Sequence, residues 1–160
     1  MTLLMERMGL LEPITRAVAA GLPTLGTCAG MILLSSRVAD GREGQEPLGA
    51  LDITVRRNAW GRQVESFEAA VRIPALDSAF PGIFIRAPRV EDSGSAEVIA
   101  RLDDGEPVGV RQGNVMALAF HPELSGDPRM HREFLKLVEA DSSPLGGEVP
   151  PKAAEGPTPK

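Results

Sequence analysis

The stretch "LPTLGTCAGMILL", residues 22–34, constrains this chain more than any other. Residues 22–26 form an apolar run that reads as a short buried strand. Residues 29–38 read as a helix, with Met31, Ile32, Leu34, Ser35 and Val38 available for its faces. Between the two, Gly26 and Gly30 bracket Cys28 at a spacing of two on each side. A strand that turns at once into a helix brings two backbones close together, which suits glycine on both flanks. The same corner exposes its central side chain, as in the G-x-S-x-G nucleophile elbow, here with sulfur in place of oxygen. The start of the following helix directs partial positive charge at the sulfur, so a thiolate is expected. The Ala29 N–H is the expected donor to an oxyanion forming beside it. A lone cysteine is more often a small buried hydrophobe; the glycine bracket between strand and helix favours a nucleophile.

A thiol nucleophile needs a base, and the chain has two histidines, His121 and His131. His121 ends the apolar run "NVMALAFHPEL", with Glu123 two residues on. In an extended segment residues i and i+2 share a side, so the Glu123 carboxylate can hold one imidazole nitrogen and fix the tautomer, as a third triad member does. His131 lies among charges in the last predicted helix and reads as a surface residue.

The rest of the chain predicts the frame. Residues 3–20 carry Leu4, Met8, Leu11, Ile14 and Val18 at helical spacing, with Pro13 as a kink and Gly21 and Pro23 as the stop. Residues 39–47 are a polar loop. Over 48–72, Leu51, Ile53 and Val55, then Val64, Phe67, Ala69 and Val71, alternate as strands around the turn "RRNAWGRQ". Residues 82–90 read as a strand ending at Pro88. "AEVIARL" and "EPVGVRQGNVMALAF" give three more strands, the last two joined through Gln112, Gly113 and Asn114. Asp127 and Pro128 open a helix over 127–140. Residues 141–160 hold five prolines and few apolar residues, and read as a disordered tail. The expectation is one α/β domain over residues 1–140: a mostly parallel central sheet flanked by helices, with an antiparallel insertion over 48–73. The chain opens on a helix, so the sheet is expected to lack its N-terminal strands.

Composition narrows the function classes. One cysteine makes no internal disulfide, which suits a reducing, cytoplasmic setting. The net charge of -5, without a basic cluster, argues against nucleic acid and anionic membrane surfaces. No apolar stretch approaches a membrane span.

"GTCAGMILL" together with "HPEL" resembles the class I, triad-type glutamine amidotransferases, which have a flavodoxin-like fold. "RNAWGRQVESFEA" and "FIRAPRV" are similar to one branch, the glutaminase subunits of pyridoxal 5′-phosphate synthases; Trp60 stands where that branch commonly has Phe. The resemblance runs from residue 1 to about 140. It implies hydrolysis of L-glutamine to glutamate and ammonia, with Cys28 as nucleophile, His121 as acid and base, and Glu123 as orienter. It implies Arg57, Ile85 and Arg86 as glutamine contacts and a synthase subunit as the partner that receives the ammonia. It implies no cofactor and no metal. The family's Gly-Gly-Glu-Ser loop, which helps form its oxyanion hole, is absent from these residues. Two other readings follow from the same residues: a catalytically impaired chain that only binds the synthase subunit, and a different thiol amidotransferase.

Overall fold

Where the sequence suggests one N-terminal helix, the chain makes two. The computed structural model describes residues 2–41, 44, 46–57 and 66–140. Helix α1 (Thr2–Arg7) ends and α2 (Leu11–Ala19) begins around Gly9, whose φ is +66°. Gly9 N–H donates to Glu6 O and Leu10 N–H to Met5 O, which is the Schellman pairing that closes a helix on a left-handed glycine. The same pairing recurs at Gly21 (φ +97°), where the sequence places the stop. Pro13 breaks nothing, because it lies in the first turn of α2, where a missing N–H costs no hydrogen bond. The break also shifts the helical phase. Val18 is buried, but Leu4 and Met8 are 61% and 62% exposed and Met5 faces the interior instead.

Strand β1 (Thr24–Thr27) leads through Cys28 into α3 (Ala29–Leu34). That helix is shorter than expected. Ser35 Oγ bonds back to Ile32 O, and residues Ser35–Val38 leave the helix as β2. They pair in parallel with β3 (Leu51–Arg56), and Ser36 Oγ reaches Ile53 O. The gain of a ladder on a buried apolar strand outweighs the weak helix preference of Ser-Ser-Arg-Val.

Two sheets result. The larger has the order β1-β9-β8-β7-β4-β5, with β4 at Ser66–Arg72, β5 at Phe80–Ile85, β7 at Glu97–Leu102, β8 at Pro107–Gln112 and β9 at Val115–Leu118. The smaller is β2-β3-β6, with β6 at Arg89–Asp92. The expected antiparallel insertion is therefore divided: β3 and β4 join different sheets instead of pairing with each other. The 82–90 run is likewise two strands, β5 and β6, which pass from one sheet to the other around Arg86–Pro88. The turn residues 58–65, with Trp60 and Val64, and the predicted tail at 141–160 lie outside the described residues.

The α/β class stands, but among the described strands parallel pairing is confined to β1–β9 and β2–β3. The remaining pairs are antiparallel; where the paired strands follow one another, as β8 and β9 do through Gly113, the connection is too short for a crossover. The closing helix α4 (Arg129–Ala140) is opened as expected: the Asp127 carboxylate accepts the Arg129 N–H at 3.0 Å and Pro128 O accepts the Arg132 N–H.

The larger sheet curls, so that its far strand β5 meets the segment leaving β9. Phe120, fully buried, packs its ring against Phe80 and Phe84 of β5 at centroid distances of 5.7 and 5.6 Å, and Phe84 stacks on Phe67 of β4. Replacing Phe120 by Ala should cost about 3–5 kcal/mol, read as a lowered urea midpoint at unchanged m-value.

Candidate active site

Cys28 stands at the carboxyl end of β1 and His121 just beyond the carboxyl end of β9, the strand paired in parallel with it. Thr27 lies opposite Leu118, and the Cys28 N–H donates to Leu118 O at 2.8 Å. The carboxyl ends of adjacent parallel strands are where open α/β sheets hold their ligands.

Cys28 has φ 48° and ψ -104°. Among the described non-glycine residues only Cys28 and Arg86 (φ 43°) have positive φ. Such conformations cost on the order of 1–3 kcal/mol and gather at functional sites. These two are neighbours: Cys28 Sγ donates to the Ile85 carbonyl at 3.6 Å, and the Arg86 charge acts on the thiol. The elbow's glycines play unequal parts. A Cβ on Gly26 would lie 2.5 Å from Leu34 Cδ1 and 2.8 Å from the Gly30 carbonyl carbon, so strand and helix approach as the sequence suggests. A Cβ on Gly30 would meet nothing within 4 Å, so close packing does not explain that second glycine.

The expected thiolate is not the resting form. Burial pushes the Cys28 thiol above its ordinary pKa, and the negative charge of Glu123 adds to this. The Ala29 N–H and the Arg86 charge pull the other way without prevailing. A helix of six residues, α3 offers a weak dipole against that desolvation.

His121 is fixed at both ends. Its backbone N–H donates to Ile83 O at 2.8 Å, and its Nδ1 lies 2.7 Å from Glu123 Oε1. The pair forms by a different local route from the one the spacing implies. His121 precedes a 3-10 turn, Pro122–Leu124, and the turn swings Glu123 back under the ring. Burial pushes the Glu123 carboxyl up, but bonds from His121 and from its own backbone N–H outweigh it, leaving the pKa lowered. The His131 charge contributes in the same direction. His131 is half-buried on α4, and is not the plain surface residue its sequence neighbours suggest.

Cys28, Ala29, Ile85 and Arg86 thus share one neighbourhood, and the Glu123 charge reaches into it. Arg57 is held from the smaller sheet, at the end of β3, by Asp40. The sequence reading missed Asp40 and the backbone acceptors Ile83, Ile85 and Leu118. Nothing in residue type marks a carbonyl as an acceptor for a distant donor.

A strained cysteine thus stands at one strand end and a hydrogen-bonded His–Glu pair at the next, on an α/β frame. The chain belongs to the SNO glutamine amidotransferase family, whose model matches residues 1–140. It is 53% identical over 140 residues to the pyridoxal 5′-phosphate synthase subunit PdxT of Corynebacterium jeikeium (strain K411), spanning 87% of this chain and 72% of that one. It is 56% identical over 137 residues to the subunit of the same name from Herpetosiphon aurantiacus, spanning 84% and 72%. A crystal structure described as a glutamine amidotransferase superposes with a TM-score of 0.78 at 46% identity, covering 85% of this chain and 71% of its own. That likeness accords with the flavodoxin-like class I fold. No helix among the described residues is long and apolar enough to cross a membrane.

Two measurements check the site's geometry. Gly26→Ala should destabilise the fold by about 1–3 kcal/mol through overpacking, whereas Gly30→Ala should leave the melting temperature unchanged or raise it. Iodoacetamide reacts with thiolate, so the alkylation rate of Cys28 in the free chain should still be climbing above pH ~8.5, the ordinary cysteine pKa. A rate that levels off well below that pH would mean a resting thiolate.

Proposed function

We propose that this chain is a glutaminase: it hydrolyses the side-chain amide of L-glutamine and passes the ammonia to a synthase subunit that makes pyridoxal 5′-phosphate. The observation that carries the reading is the pairing of a strained cysteine with a carboxylate-bound histidine at adjacent strand ends, in a chain more than half identical to subunits named for that synthase.

The roles follow from the chemistry of a neutral thiol. Cys28 rests protonated, so a base must take its proton as sulfur attacks the amide carbon. His121 is that base. Its Nδ1 is engaged by Glu123, which fixes the tautomer and leaves Nε2 for the thiol proton. The amide oxygen gains negative charge in the tetrahedral intermediate, and the Ala29 N–H is a donor suited to it. His121 then returns the proton to the departing nitrogen, the C–N bond breaks, and ammonia leaves a γ-glutamyl thioester on Cys28. Water, deprotonated by His121, attacks the thioester carbon; the C–S bond breaks and glutamate departs with the thiol restored. Arg57 and Arg86 provide guanidinium groups suited to the substrate's α-carboxylate, and Ile85 lines the same corner. The matched unit, residues 1–140, is the glutaminase domain, and the reaction belongs to the cytoplasm.

Ammonia release from glutamine, assayed with the synthase subunit present, tests these assignments. Cys28→Ala should abolish release while leaving association with that subunit intact, and His121→Asn should lower kcat by orders of magnitude. Glu123→Gln should be milder, because an amide still accepts a hydrogen bond from Nδ1–H without its charge. Retained activity in Cys28→Ala, or near-wild-type rates in both of the others, would show that the group is structural. Turnover by the chain alone should be low and should rise on adding the synthase subunit.

A further inference from the structure

Arg57 follows β3 directly, and Asp40 holds it in two places. The Asp40 carboxylate accepts the Arg57 backbone N–H through Oδ1 at 2.8 Å, and the Asp40 backbone carbonyl accepts from Arg57 Nη2 at 2.7 Å. The same Oδ1 lies 3.7 Å from Arg57 Nε. One residue therefore grips the arginine at its backbone and at its guanidinium. Both side chains are largely withdrawn from water, at 24% and 34% exposed, so the contact is screened less than a surface pair. Asp40 is itself placed by the ladder, because Ala39 N–H donates to Val55 O and Gly41 N–H to Val38 O, fixing the turn that leaves β2.

We propose that Asp40 is a positioning residue for glutamine recognition: it sets the direction of the Arg57 guanidinium so that this group meets the substrate's α-carboxylate. The inference rests on Arg57 being a glutamine contact. A guanidinium carries five donors in a rigid fork, so anchoring it on Asp40 is compatible with carboxylate recognition and removes rotamer entropy that binding would otherwise have to overcome. Asp40 touches neither the reacting amide nor Cys28 in this scheme, so its contribution belongs to substrate affinity and leaves the chemical step alone.

Steady-state glutaminase kinetics of the full chain with the synthase subunit test this, using wild type, Asp40→Ala, Asp40→Asn and Arg57→Ala. Asp40→Ala removes the Oδ1 contacts to the Arg57 N–H and Nε but keeps the backbone carbonyl that meets Nη2, so it should raise KM for glutamine about three- to tenfold, with kcat within about twofold of wild type. Asp40→Asn keeps an Oδ1 acceptor and should fall between them. Alkylation of Cys28 by iodoacetamide, an amide with no carboxylate, should proceed at the wild-type rate in all three variants. Protection against it by glutamine should weaken in Asp40→Ala. If Arg57→Ala raises KM and neither Asp40 variant does, the positioning role is overturned and the role of Arg57 stands. If Arg57→Ala leaves KM unchanged, both fall. A drop in kcat and in alkylation rate together with the rise in KM would assign Asp40 to the fold and overturn the proposal. Should Asp40→Ala fail to fold, an unchanged KM in Asp40→Asn together with unchanged glutamine protection overturns it as well.

Discussion

The site depends on one closure: the outer edge of β5 against the ends of β1 and β9. In strand order β5 and β1 are the two extremes of the larger sheet. The curl brings them together, and the backbone of β5 is what they meet. Ile83 O takes the His121 N–H and Ile85 O takes the Cys28 Sγ, two carbonyls two residues apart and so on the same side of the strand. The Phe80, Phe84 and Phe120 rings beneath provide the apolar contact that holds this edge in place. Were β5 to shift by one residue, both carbonyls would turn away and the two groups would lose their common reference.

The closure also explains why the cysteine rests as a thiol. Cys28 is partly buried where its sulfur meets Ile85 O of β5, and desolvation disfavours the charged form. The nearby carboxylate of Glu123 works in the same direction. The carboxylate that disfavours the thiolate is also the group that holds His121 through Nδ1, so the two effects are parts of one arrangement.

Arg86 marks the other structural consequence. The chain must leave the large sheet at Ile85 and enter the small one at Arg89 within three residues, while Ala87 and Pro88 stay buried. That step leaves Arg86 at φ 43°, a conformation a β-carbon resists. The turn holds because the buried Ala87 and Pro88 anchor the chain beyond it, and it leaves a guanidinium beside the strained cysteine. The small sheet, which receives the chain at this point, also delivers Arg57 from its own strand end and Asp40 from the turn beside it.

The sequence by itself determined the local devices. The bracketed Cys28, the His121–Glu123 pair, the stop at Gly21, the Gln112–Asn114 turn and the Asp127 cap all rest on contacts within a few residues, and short-range chemistry is written in residue order. It did not determine which strands share a sheet. Leu51–Val55 and Phe67–Val71 have the same alternation, yet they belong to different sheets, because alternation reports a buried face and not the neighbour that covers it. Gly9 was readable as a stop in principle, but the apolar spacing across it is as regular as in an unbroken helix. Ser35–Val38 became a strand only because Leu51–Val55 was there to pair with. The thiol's protonation state, the two carbonyls of β5 and the grip of Asp40 on Arg57 were decided by the tertiary structure alone. Each joins groups far apart in sequence or depends on burial, and desolvation and backbone hydrogen bonding belong to a place in the fold, not to a residue type.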